Sequence, residues 1–428
     1  MINRSIFGIV PPKLTYDTID DEPLKPVTVI PKEKVTLYLE EPLDKTISPL
    51  VQTGNPVKAG EKLQLYPDSR EYAISPVSGI IDSVGPFIGF MEKQMTSVVI
   101  KAEPLSGEQE IDASFEDKVK DQNLETVSDF LRKIPGNPDF SSLSRSDEPV
   151  KTIVILGMDT DLMTITNQYV IKNDIASIKD GVDILRKITS GRNLNIIIAV
   201  PDNLVQAAGG AGVTVKTVSN LFPHANPEMI AFSFVGAEAP GQKDSVAFFT
   251  AEAVSNIGKA FKRGKIPVEK VITFVGKDGS KKLVSAPIGT HVKDILEKLS
   301  ATVKDGDRIV LGGPMTGVSI YSIEQPVEPD TDTIILQDQG QIIPSEDLAC
   351  INCGQCVRVC PTDVPVNELI RYLDAGEYEQ AAERADLEAC IECGYCTYVC
   401  ESRIPIFQHI RLAKHALKRM KAVEENNA

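Results

Sequence analysis

All eight cysteines of this 428-residue chain fall within its last eighty or so positions. Cys350, Cys353, Cys356 and Cys360 stand in C-x2-C-x2-C-x3-C order before Pro361, and Cys390, Cys393, Cys396 and Cys400 repeat that spacing. This run suits a pair of 4Fe-4S cubanes: three closely spaced thiolates wrap one cluster, and the fourth, beyond a turn, reaches the other. The spacing therefore assigns Cys350, Cys353, Cys356 and Cys400 to one cluster and Cys390, Cys393, Cys396 and Cys360 to the second. Gly354 and Gly394 would let the backbone approach the inorganic sulfides. Structural zinc is the competing chemistry, but its ligands usually come as two C-x2-C pairs across a longer loop. Disulfides crowded into one end of a large chain have no general use. The second motif runs Cys400-Glu401 where the first runs Cys360-Pro361. An acidic group close to the cluster that Cys400 ligates would lower its potential.

Two neighbouring clusters imply electrons passed singly and do not by themselves make a catalytic centre. His224, His291, His409 and His415 are the only histidines, and none stands in an acid-base or nucleophilic constellation, so no catalytic residue is assigned. A formal net charge of -15 argues against nucleic acid, whose phosphates demand Lys and Arg. No stretch approaches the roughly 18 apolar residues of a membrane helix. Met1 to Pro12 lack the apolar run of a signal peptide, which points to the cytoplasm.

The elements that must position these cysteines divide the chain. Residues 1–35, rich in Pro and charge, read as an extended arm. Residues 36–104 alternate short strands with Gly and Pro turns and read as a small β domain resembling the barrel-sandwich of biotinyl and lipoyl carriers. The turn Pro76-Val77-Ser78-Gly79 lacks those carriers' lysine, so a scaffold is expected. Residues 105–149 read as a linker with a short helix around Val127–Arg132. An α/β pattern fills 150–265: strands Thr152–Leu156, Asn195–Val200 and Met229–Val235, with a helix over Asn173–Thr189 and another after Pro201. The run Gly209-Gly210-Ala211-Gly212 ends a helix rather than opening one, which favours a C-cap over a phosphate loop. Residues 266–336 read as a small β-grasp module, with strands Val271–Val275, Lys282–Ala286 and Arg308–Leu311 and a helix over His291–Leu299. Residues 337–428 carry the clusters and end in a helix, Ile406–Met420, whose Arg411, Lys414, Lys418 and Arg419 form a basic face fit for anionic lipid or an acidic partner. The fold class is thus multidomain α/β plus β with a helical two-cluster ferredoxin-like end.

Taken in order, the modules resemble the RnfC family, the peripheral iron-sulfur subunit of the Rnf electron-transport complex. The stretches that carry the likeness are Asn256-Ile257-Gly258-Lys259, Gly264-Lys265-Ile266-Pro267, Val271–Gly276, Ile288-Gly289-Thr290, Gly312-Gly313-Pro314-Met315-Thr316-Gly317 and the cysteine motifs ending in Arg403-Ile404-Pro405. The resemblance implies a complex I-like flavin region, a soluble-ligand-binding β-grasp domain, FMN and NADH. The chain departs from the family where those ligands would sit. Only Gly136 stands in 133–150, where a glycine-rich loop is expected, and Gly157-Met158-Asp159-Thr160-Asp161-Leu162 replaces an acidic E-C-E-P motif. In this it is similar to the NqrA family of the sodium-pumping NADH:quinone oxidoreductase. The reading is an electron-transfer subunit that relays single electrons between a soluble partner (ferredoxin, flavoprotein or cytochrome) and a membrane or quinone-reactive module, peripheral on the inner face of the cell membrane. An FMN-containing, NADH-oxidising subunit is the alternative. Cobalamin reduction, as in the family's microcompartment relative, would need the same absent flavin loop.

Overall fold

The computed structural model describes residues 12–19, 25–44, 46–103, 110–144, 150–190, 194–236, 246–346 and 348–427. The arm and the linker expected from the sequence therefore lie partly outside the described residues.

The first unit is an antiparallel sheet in the order Lys34–Leu39, Gln94–Ala102, Gly79–Ile88, Pro56–Val57. Val35, Leu37, Leu39, Ile81, Val98 and Ile100 fill its core, drawn from a pattern of β-branched and aliphatic residues that suits a pleated, half-buried surface. Gly79 is required where it stands, because a Cβ there would meet the Lys101 carbonyl at 2.1 Å. The long hairpin Gly79–Ile88/Gln94–Ala102 projects a tip, Gly89–Lys93, that leaves Phe90 exposed.

The second unit is a parallel four-stranded sheet in the order Thr214–Thr217, Asn195–Val200, Thr152–Leu156, Val246–Thr250. Every residue of Thr152–Leu156 is buried, as expected of a strand covered on both faces. The helix expected over Asn173–Thr189 runs Ile175–Ile188, and a further helix, Thr166–Asn173, comes directly before it. Ile175–Ile188 packs on Ala251–Arg263 through a glycine pair. A Cβ on Gly181 would strike the Val254 carbonyl at 2.0 Å, and one on Gly258 the Ser177 carbonyl at 2.1 Å. The run 209–212 closes a helical turn with Gly212 left-handed at φ 71°, a C-cap.

One expected strand is a helix. Met229–Val235 lies within the helix Pro227–Val235, and Val246–Thr250 takes the sheet edge. A seven-residue apolar run fits a buried strand or a buried helix equally by periodicity. The flanks decide: the Asn226 side chain accepts from the Glu228 N–H, Pro227 opens the first turn, and Gly236 ends the helix left-handed.

The third unit is a mixed six-stranded sheet in the order Val27–Thr28, Lys281–Pro287, Glu269–Val275, Thr333–Gln337, Arg308–Leu311, Val318–Ile320, with the helix Val292–Lys298 packed on it. Its edge strand comes from the N-terminal arm, since Val27 and Thr28 pair in parallel with Val284 and Ser285. Tyr16 and Ile19 of the same arm are buried against the α/β unit. The expected linker is also structural. Its helix runs Leu124–Leu131, and Phe115, Val127, Leu131, Ile134, Phe140 and Leu143 join the largest core. These apolar anchors stand at no regular period among acidic and Ser residues, so pattern reading passes over them.

Candidate metal centre

Each cysteine motif folds into the same device. Asn352 and Glu392, between the first and second cysteines, are left-handed at φ 56° and 53°. Gly354 and Gly394 follow at φ 70° and 75° and open the short helices Gln355–Arg358 and Tyr395–Tyr398, which carry the third cysteines, Cys356 and Cys396. Closely spaced left-handed residues turn successive N–H groups to one side and leave a concavity suited to an anion. Cys360 and Cys400 come after those helices, and Asp363 and Arg403 beyond them are again left-handed. The helices Val366–Asp374 and Tyr378–Arg384 join the motifs, and Val366, Leu369, Ile370, Leu373, Ile404, Ile406, Ile410 and Leu417 pack around Cys356 and Cys396.

The thiols perturb one another chiefly within two groups, which touch through Cys356 and Cys396. Burial pushes Cys356 up to about 11, and Cys353, Cys350 and Cys400 add negative neighbours. Burial raises Cys393 to about 12, with Cys390 and Cys360 adding to it, and Cys390 to about 11, with Cys360 beside it. Cys396 is held well above the thiol range by burial and then by Cys390, Cys393 and Cys356. Cys400 is thus near the first run and Cys360 near the second. A crowd of buried sulfur donors that resists ionisation is relieved by a cationic metal, which takes the thiolates and releases their protons.

All eight are free thiols. Among the described residues no three His, Cys, Asp or Glu converge on a single-ion position. Tetrahedral zinc demands such convergence at about 2.3 Å per sulfur. In a cubane each thiolate holds its own iron, and eight cysteines in two such runs fit iron-sulfur clusters better.

The two motifs face different surroundings. Cys350 and Cys353 are exposed, and so are the apolar side chains of Ile343, Leu348 and Ile351 near them in the chain. The second motif is wedged among other units: a Cβ on Gly394 would meet the Met315 carbonyl at 2.5 Å, so the loop 312–317 lies directly on it. Tyr395 meets Phe222 edge-on at 5.7 Å, Phe222 lies 5.5 Å from Tyr16, and the Tyr395 hydroxyl donates to the Pro12 carbonyl. Lys414 Nζ donates to the Cys390 carbonyl at 2.6 Å and pairs with Glu392 at 3.2 Å. An aromatic residue between two cysteines was visible in the sequence. Its partners, far away in the chain, were not.

Doubly wound sheets take ligands in the crevice beyond the carboxyl ends of their strands. Here the chain's own groups pair with one another just beyond the strands Thr152–Leu156 and Val246–Thr250. Asp159 accepts from the Asn167 backbone N–H at 2.8 Å and side-chain amide at 3.2 Å. Lys270 Nζ, fully buried, donates to Glu252 and, at 2.6 Å, to Asp332. A helix N-terminus could receive a phosphate. At Ala251–Arg263, however, Asn167 Oδ1 accepts the Glu252 N–H and Thr250 Oγ1 the Ala253 N–H. Asp161 binds the loop 312–317 through the N–H groups of Met315 and Thr316 and the Thr316 hydroxyl. Apart from the Thr250 N-cap, none of these pairings has a local sequence signal.

A family model described as a 4Fe-4S dicluster domain matches residues 343–401. The C subunit of the ion-translocating oxidoreductase complex of Serratia proteamaculans is 24% identical over 400 residues, covering 87% of this chain and 56% of that protein. This chain is similar to that C subunit. The Vibrio cholerae protein of the same name is 25% identical over 378 residues (83% of this chain, 48% of that one), and the Methanosarcina acetivorans one is 25% identical over 393 residues (82% and 85%). The chain therefore spans about half the length of the Serratia and Vibrio proteins and most of the archaeal one. Among solved structures, an NAD+-reducing [NiFe]-hydrogenase in the H2-reduced state aligns with a TM-score of 0.46 at 11% identity, covering 71% of this chain and 64% of that one. No described helix is long and apolar enough to cross a membrane.

Proposed function

We propose that this chain is the electron-transfer subunit of a membrane-associated ion-translocating oxidoreductase complex. It relays single electrons between a soluble redox partner (a ferredoxin, flavoprotein or cytochrome) and a membrane or quinone-reactive module. Cys350, Cys353, Cys356 and Cys400 would hold one 4Fe-4S cluster, and Cys390, Cys393, Cys396 and Cys360 the other. When bound, these clusters supply one-electron carriers. The protein's own part is to fix their thiolates, bury the second site and leave the first near solvent. The observation that carries the reading is the pair of cysteine runs with one spacing, each folded through left-handed turns into a short helix that buries its third cysteine. The likeness to C subunits of ion-translocating complexes supports the setting. The first and third units would act as barrel-sandwich and β-grasp scaffolds that dock the relay, peripheral on the inner face of the membrane.

The alternative, FMN-dependent oxidation of NADH, is disfavoured by the pairing of Asp159, Glu252, Lys270 and Asp332 with the chain's own groups and by the occupied N–H groups at the start of Ala251–Arg263. Anaerobic purification followed by iron, acid-labile sulfide and extracted-flavin quantification on one sample separates the readings. About eight iron and eight sulfide without flavin are expected. Stoichiometric FMN would restore NADH oxidation as the leading function.

A further inference from the structure

The hairpin tip 90–94 and the C-terminal helix enclose an open groove of about 860 Å³, lined by Phe90, Met91, Arg411, Lys414, Lys418 and Arg419 among others. In a chain of net charge -15 this face is a local reversal of sign. Arg411 sits over the Phe90 ring at 4.6 Å and the Phe407 ring at 5.4 Å, which fixes its guanidinium at the groove wall. Among the described residues, the ion pairs give Arg411, Lys418 and Arg419 no carboxylate partner. The second cysteine loop reaches the groove through one residue. Glu392 lines the groove, and Lys414 bridges it to the Cys390 carbonyl.

We propose that this groove is the docking site for an acidic, protein-borne one-electron carrier, which exchanges electrons with the second cysteine site. The inference rests on the relay reading above. Charge complementarity selects an anionic occupant. The position selects its kind: a carrier whose carboxylates pair with Arg411, Lys418 and Arg419 is brought against the Cys390–Cys393 loop. Unpaired cations steer encounter by long-range attraction, so the site acts mainly on association rate and weakens as salt screens it. The exchange moves one electron from the reduced carrier to an oxidised cluster, with no atom transferred.

The test uses the full chain, purified anaerobically with its iron, mixed in stopped flow with a reduced acidic [2Fe-2S] ferredoxin. Each rate is referred to iron content and to reduction of the same sample by dithionite. The rate is expected to fall about tenfold in the Lys418→Glu/Arg419→Glu double variant at low ionic strength, and to converge with the unaltered chain as salt rises. The ionic-strength series on the unaltered chain stands even if the variant does not fold. A rate indifferent to both salt and charge reversal, in a chain that dithionite reduces, would overturn the docking site and leave the relay intact. Absence of dithionite-reducible iron would remove the relay and the docking site together. Phosphatidylglycerol vesicles that bind the unaltered chain but not the variant, and that block reduction by ferredoxin, would assign the groove to lipid and overturn the proposal.

Discussion

Cys356 is buried and has other thiols near it, and in the proposed assignment its loss removes a ligand that no neighbour replaces. Cys356→Ala should lower iron from about eight to about four per chain. Retention of eight iron would refute the ligand assignment. Lys270 poses a different problem: burial, which alone would pull its ammonium down, is outweighed by Asp332 and Glu252, and the group stays charged. Lys270→Met leaves the buried Glu252 carboxylate uncompensated and should cost about 3–5 kcal/mol in urea unfolding. Adding Glu252→Gln should return part of that loss. Asp159 titrates at about 6 because burial raises it, despite the hydrogen bonds from Asn167 and Gln168. A carboxyl whose folded pKa exceeds its unfolded value binds more protons when folded. Its contribution to stability is therefore greatest in acid and is lost as pH rises from about 4 to about 6, roughly 3 kcal/mol in all. Asp159→Asn should lack that slope in a pH series of unfolding midpoints, and an identical slope would exclude Asp159 as its source. The cysteines were legible one by one because iron-sulfur spacing is local. Lys270 and Glu252 were not, because ordinary charged residues mark a buried pair only once the fold joins them.

At the scale of elements, the helices Ile175–Ile188 and Ala251–Arg263 touch through backbone at Gly181 and Gly258. The stretch Asn256-Ile257-Gly258-Lys259 is one of those that together carry the family likeness, and the close helix contact at Gly258 gives it a packing role. Gly258→Ala should force the helices apart and lower stability by about 1–3 kcal/mol, read from the urea midpoint. An unchanged midpoint would mean that the pair yields at no cost. Strands Thr152–Leu156 and Asn195–Val200 were readable to the residue, since apolar runs of that length between polar flanks suit a parallel sheet. Met229–Val235 was misread because its apolar run carries no period, and its cap lies outside it, at Asn226 and Pro227.

Across the whole molecule, the cysteine unit shares a core with the α/β unit: Val359 and Tyr395 pack with Val154, Leu156, Met158 and Phe222. Iron removal by a chelator should therefore be felt beyond the cysteines. Hydrogen exchange is expected to quicken first over 350–400 and then around Phe222, while Val35–Leu39 in the separate β core stays protected. Exchange confined to 350–400 would show that the shared core holds without metal. The sequence alone determined the iron-sulfur chemistry, the strand-rich and α/β order of the units and the basic face of the last helix. All of these depend on spacing between near neighbours. Tertiary structure decided the rest: the arm paired at a sheet edge, the linker buried in a core, Lys270 paired with its carboxylates, and the hairpin tip that turns a basic helix face into a groove. Each joins residues far apart in the chain, and their contact energies appear only when folding brings them together.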